Sequence, residues 1–130
     1  MNFEKYFLAL SRINDNRALH LFMQKNLSIY EIEAILIMKH EDAKSAVLSL
    51  KEAGIVIENT GKTDMYVRFK VSEKFTEESK MLYDYLRHQY KKEEGFQKDL
   101  RRLRLFEEKN ITIEEIVADK AGVIKQLERK

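Results

Sequence analysis

The chain has 130 residues, 44% hydrophobic and 35% charged, enough for one core beneath a charged surface and too apolar for a disordered chain. Its 24 basic residues against 22 acidic leave a formal charge of +2, so any affinity for nucleic acid must come from where the charges sit. Cysteine is absent, which excludes disulfides, thiolate zinc sites and thiol nucleophiles.

Proline is missing and glycine occurs only at 54, 61, 95 and 122, so long helices are the default. Residues 2–10 put Phe3, Tyr6, Phe7 and Leu10 at i, i+3, i+4 and i+7, a helix with one bulky apolar face. Asn14 or Asp15 suits the cap of a second helix that runs to about Lys25 and buries Leu19, Phe22 and Met23. Ser28 and Glu31 have capping-box spacing, each side chain satisfying the other's backbone amide, and open a third helix with Ile29, Ile32 and Leu36 on one face. Glu41 and Asp42 fit the positive end of a fourth helix, which turns Ala43, Ala46, Val47 and Leu50 inward and stops at Gly54.

The period then changes to two. Residues 55–59, a turn over 60–64 and residues 65–71 predict a β-hairpin rich in β-branched and aromatic side chains. Its second strand points Met65, Val67, Phe69 and Val71 one way and Tyr66, Arg68 and Lys70 the other. From Glu77 helical spacing returns, with Leu82, Tyr85, Leu86 and Tyr90 in one stripe, continued by Phe96, Leu100 and Leu103 beyond Gly95. A second capping box, Thr112 to Glu115, begins a terminal helix with Ile113, Ile116, Val117, Val123 or Ile124, and Leu127. The predicted order is four helices, a two-stranded hairpin, then two or three helices.

Three stretches go beyond this pattern: LSIYEI at 27–32, LKEAGIV at 50–56, and Gly61 followed by MYVRF at 65–69. With Arg17 ahead of them and no gap needed from Arg17 to Val56, they resemble the ArsR family of bacterial and archaeal repressors. MarR-like proteins are the second choice, on Asp64, Arg68 and the VSEK at 71–74. The resemblance covers roughly residues 3–90. It implies a mostly α fold with a small β-hairpin wing, that is, a winged helix-turn-helix with additional C-terminal helices. It also implies a homodimer that reads an inverted repeat with residues 41–53 in the major groove.

Three departures from the family matter. Its metal-sensing thiols fall at Ser28 and Tyr30, neither of which replaces a thiolate. Its tight-turn glycine is Ile37, a β-branched residue unsuited to positive φ, which predicts a turn of different construction. Its recognition helix starts with neutral polar residues, whereas this one starts Lys39-His40-Glu41-Asp42, with two carboxylates that repel phosphate.

The expected DNA-binding residues are Lys39, His40, Lys44, Ser45, Leu48 and Lys51 on the fourth helix, and Lys62, Thr63 and Arg68 on the wing. The alternative for the helix is an ordinary solvated face, and for Lys62 a solvated turn. An outward Leu48 suits a protein interface or a thymine methyl better than water. The expected dimer interface is Phe3, Tyr6, Phe7 and Leu10 with Leu82, Tyr85, Leu86 and Tyr90, the apolar faces left over once the central helices have formed a core. Asp84 and His88 stand at i, i+4 but make an incomplete ligand set, so a surface pair is expected and no metal. Lys91, Lys92, Arg101, Arg102 and Arg104 alternate with Glu93, Glu94 and Asp99, a pattern that predicts surface salt bridges.

No phosphate loop, nucleophile elbow or ligand motif is present, so neither an enzyme nor a cofactor is expected. No apolar run approaches the ~20 residues of a membrane span, and the first ten residues do not read as a signal peptide; the expected location is the cytoplasm. Residues 1–92 are read as the winged-helix domain with its dimerisation helices and 93–130 as a helical extension. The expected function is DNA binding by a homodimeric transcriptional regulator. The alternative is a winged-helix protein-interaction module in which the fourth helix and C-terminal helices dock a protein partner.

Overall fold

The computed structural model describes residues 3–59 and 66–128. The chain is mostly helical with one small antiparallel sheet. Its elements are α1 (Phe3–Leu10), α2 (Ile13–Phe22), β1 (Leu27–Ser28), α3 (Ile29–Ile35), α4 (His40–Glu52), β2 (Val56–Asn59) and β3 (Arg68–Val71). Five further helices follow: α5 (Glu73–Glu78), α6 (Lys80–Lys92), α7 (Glu94–Glu108), α8 (Ile113–Ala118) and α9 (Lys120–Glu128). None of the described helices is long and apolar enough to cross a membrane.

Helix starts follow the expected caps in part. The capping box at α3 is complete: Ser28 Oγ accepts from the Glu31 amide at 3.2 Å and Glu31 Oε1 accepts from the Ser28 amide at 2.9 Å. Thr112 Oγ1 accepts from the Glu115 amide at 3.2 Å and opens α8. The start of α2 differs. Its cap is Arg12, without a side-chain bond, and Asp15 is instead buried, accepting from Ser49 Oγ of α4 at 2.5 Å. A tertiary partner has outcompeted the local cap.

Three helices end in the same backbone device, two amides folding back onto the last turn around one left-handed residue. After α4, Gly54 (φ 81°) and Ile55 donate to the Lys51 and Leu50 carbonyls at 3.0 and 2.9 Å. After α7, Asn110 (φ 51°) and Ile111 donate to Glu107 and Phe106 at 3.1 and 3.3 Å. After α3 the left-handed residue is Ile37 (φ 55°); it and Met38 donate to Ala34 and Glu33 at 3.3 and 2.9 Å. The expectation of a differently built turn is thus corrected: the backbone is the one a glycine would adopt, with isoleucine held in it.

The sheet has order β1-β3-β2, with Leu27 opposite Phe69 and Val56 opposite Val71. The sequence reading had a two-stranded hairpin and missed β1, which at two residues carries no alternation to detect. In β3, Phe69 is buried, whereas Val67 just before it is exposed, so the expected inward row begins only at Phe69. The short α5 was also missed, and the terminal helix is two helices broken at Asp119, leaving Val117 exposed.

The expected central core is present, since Leu19, Phe22, Ile32, Leu36, Val47 and Leu50 are all buried. The core continues without a break into Phe96, Leu103 and Phe106 of α7, Ile116 of α8, and Val123 and Leu127 of α9. Residues 93–128 therefore share one core with residues 3–92.

Candidate nucleic-acid interface

Helix α4 buries Ala43, Ala46, Val47 and Leu50 and turns Lys44, Ser45, Leu48 and Lys51 to solvent, with Lys39 and His40 exposed at its start. Leu48 keeps 40% of its surface exposed, as its outward position predicted. Two of the expected contact residues are already engaged. His40 Nδ1 lies 3.1 Å from Glu33 Oε1, with its ring tilted against Tyr30 at 5.4 Å, and Lys51 Nζ donates to Glu58 of β2 at 3.2 Å. No ion pair engages Lys44, Glu41 or Asp42 among the described residues.

Arg68 is not on an outer face. Its side chain is largely covered, and Nε lies 4.0 Å from Glu31 Oε1, because β1 places the start of α3 alongside β3. Pairing with a strand that was not foreseen covers Arg68, while Tyr66 and Lys70 of the same row are half-buried. Lys62 and Thr63 lie outside the described residues.

The turn from α3 to α4 is held from behind. Arg17 of α2 donates through Nη2 to the Leu36 carbonyl at 3.0 Å and grips Asp99 of α7 with Nε and Nη2, both at 3.0 Å. Arg102 also bonds Asp99 and donates through Nε to the Ile35 carbonyl at 2.5 Å. Lys120 at the start of α9 donates to the Met38 carbonyl at 2.5 Å and to Glu33 Oε2 at 3.0 Å. These cations occupy the negative end of α3, where orphan carbonyls and the helix dipole favour positive charge. The expected surface salt-bridge ladder is corrected: Asp99 is 1% exposed and held by Arg17 and Arg102, and Lys91, Lys92, Arg101 and Arg104 are exposed with no ion pair among the described residues. The missed signal was Asp99 itself, which at i+3 from Phe96 and i−4 from Leu103 lies on α7's apolar stripe.

Of the eight expected dimer residues, Phe3, Phe7 and Tyr85 are exposed and Leu10 and Leu82 half-buried. Tyr6, Leu86 and Tyr90 are corrected to the chain's own core. Tyr6 packs edge-on against Phe75 of α5 at 5.0 Å. Tyr90 lies 4.5 Å from the Phe96 ring and donates to Asn16 Oδ1 at 2.6 Å. These faces look surplus in the sequence because their partners, Phe75 of α5 and Phe96 of α7, are brought to them only by the fold. Met81 and Leu8, not foreseen, are exposed on the same two helices.

Asp84 and His88 are both exposed, and no group of three or more potential metal ligands occurs among the described residues. No protein-family model matches the chain, and a search of curated proteins finds no match.

Proposed function

We propose that the chain is a winged helix-turn-helix protein that binds double-stranded DNA with α4 as a homodimer. It would be an ArsR-like transcriptional regulator without the thiol metal site, catalysing nothing and working in the cytoplasm. The observation that carries the reading is the pairing of α3 and α4 across a turn anchored on three sides, with Lys44, Ser45 and Leu48 outward on α4 and an antiparallel hairpin directly after it. A recognition helix must be held rigidly relative to the body that grips the backbone, and those anchors supply such rigidity.

A second reading rests on Glu41, Asp42 and Leu48. Two carboxylates at the leading end of α4 repel phosphates, and an exposed leucine on that face suits a protein partner. Gel retention on mixed genomic fragments at low salt, repeated at rising salt, separates the two readings. The DNA reading expects retention that weakens steeply with salt; the protein-module reading expects none at the lowest salt.

A further inference from the structure

A cavity of about 380 Å³ opens between α2, α6 and α7, with no residue of α4 in its described lining. Three segments meet in it: His20 of α2 with Gln24 in the turn that follows, Tyr83, Arg87 and Lys91 of α6, and Gln97 and Arg104 of α7. Among the described residues no aspartate or glutamate lines it. Arg87, Lys91 and Arg104 are exposed, and no carboxylate pairs with any of them among the described residues. Two acids of α7 are engaged elsewhere: Asp99 is held by Arg17 and Arg102, and Glu107 pairs with Lys25 at 3.5 Å. Beneath the cations lies His20, 3% exposed, its ring against Tyr90 at 5.3 Å and Phe96 at 5.6 Å. Its Nδ1 is buried without a partner, and no hydrogen bond engages the ring among the described residues. A buried polar atom left unpaired in a protein interior calls for an explanation.

Like charges gathered around a concavity raise the local concentration of anions, and a site of this size is in the range for small ligands. We propose that this cavity binds a small multiply charged oxyanion, a phosphorylated or polycarboxylated small molecule, which Arg87, Lys91 and Arg104 neutralise over the buried imidazole of His20. Arginine supplies the fork that matches an oxyanion's paired oxygens, which is why two of the three cations matter most. The inference does not depend on how α4 is used.

Thermal melts of the full chain at fixed ionic strength test it, with inorganic pyrophosphate and citrate as probes and chloride as the balancing anion. The expected result is a saturable rise in Tm with either probe, half-complete at millimolar concentration or below, together with a shift of the His20 imidazole signals in NMR spectra. In Arg87→Gln/Arg104→Gln, whose side chains make no pairs among the described residues, half-saturation should move at least tenfold higher; exposed Lys125→Gln on α9 should change nothing. A rise that never saturates, or a double variant that responds like the wild type, overturns the site.

Discussion

Arg17 and Asp99 form a two-pronged ion pair across 82 positions of sequence, Nε to Oδ2 and Nη2 to Oδ1, each at 3.0 Å. The carboxylate is buried and also holds Arg102, so its removal leaves two guanidinium groups facing each other and two carbonyl contacts unsupported. Breaking a buried pair from one side costs ~3–5 kcal/mol. Asp99→Ala should sit near the lower bound, about 3 kcal/mol, because Arg17 keeps 27% of its side chain exposed. Urea denaturation measures it, and a loss below about 1 kcal/mol would show that Asp99 is not the anchor described.

Ile37 holds a left-handed backbone and is 41% exposed, so partial burial only in part offsets its strain. Left-handed geometry costs a non-glycine residue ~1–2 kcal/mol, and more for a β-branched one. Ile37→Gly and Ile37→Asn should therefore each stabilise the chain, by about 1 kcal/mol. Equal or lower Tm in both variants would contradict the strain.

Burial lowers the pKa of His20, against the pull of Asp99, which raises it. The unfolded chain takes up a proton near the ordinary pH 6.5 while the folded chain does not, so unfolding gains protons and stability is lost as pH falls below that value. The full contribution is present above pH 6.5, and the slope approaches ~1.4 kcal/mol per pH unit below it until the folded form titrates. Asp15 has the opposite sign: burial raises its pKa despite Ser49 and Arg12, so its contribution is lost as pH rises through its folded value. His20→Gln should flatten the pH 5 to 6.5 segment of a stability curve; a variant that keeps the wild-type slope there assigns it to another group.

Exposed and covered positions on α6 separate dimerisation from folding. Leu86→Glu puts a charge into the chain's own core and should cost several kcal/mol whatever the oligomeric state. Tyr85→Glu should leave the helical circular-dichroism signal unchanged and, if α1 and α6 form a two-fold interface, halve the mass by sedimentation at about ten micromolar. Wild-type protein that sediments as one chain removes the interface.

Lys44 and Arg68 should part company in DNA binding. Lys44→Ala is expected to make the log-affinity against log-salt slope shallower by about one unit. Arg68→Ala, removing a side chain directed at Glu31, should lower stability and change the slope far less. Glu41→Gln with Asp42→Asn should tighten non-specific binding at a cost of ~0.3–1 kcal/mol per charge in helix stability. Lys44→Ala with an unchanged slope would exclude α4 as the contacting helix.

The helices and central core were legible because their signals are local: apolar spacing, the Ser28–Glu31 box and Gly54. What escaped depends on contacts remote in sequence. β1 exists only because β3 lies beside it, Asp15 left its cap for Ser49, and the status of Tyr6 and Tyr90 depended on Phe75 and Phe96. Ile37 shows the reverse limit. A propensity argument excluded its conformation, but two backbone bonds and cations from α2, α7 and α9 outweigh a strain of ~1–2 kcal/mol.

The supports of that turn also carry a timetable. Arg17 leaves the ribosome before the carbonyl it binds, but Asp99, Arg102 and Lys120 follow some 60 to 80 residues later. At a synthesis rate of ~5–20 residues per second the nascent α3–α4 unit waits several seconds for its clamps. During that interval Ile37 has its strain and only part of its restraint, so the emerging unit is free to sample other turns. A nascent chain stalled near residue 92 should therefore be cut by protease around 36–39 far faster than the released protein.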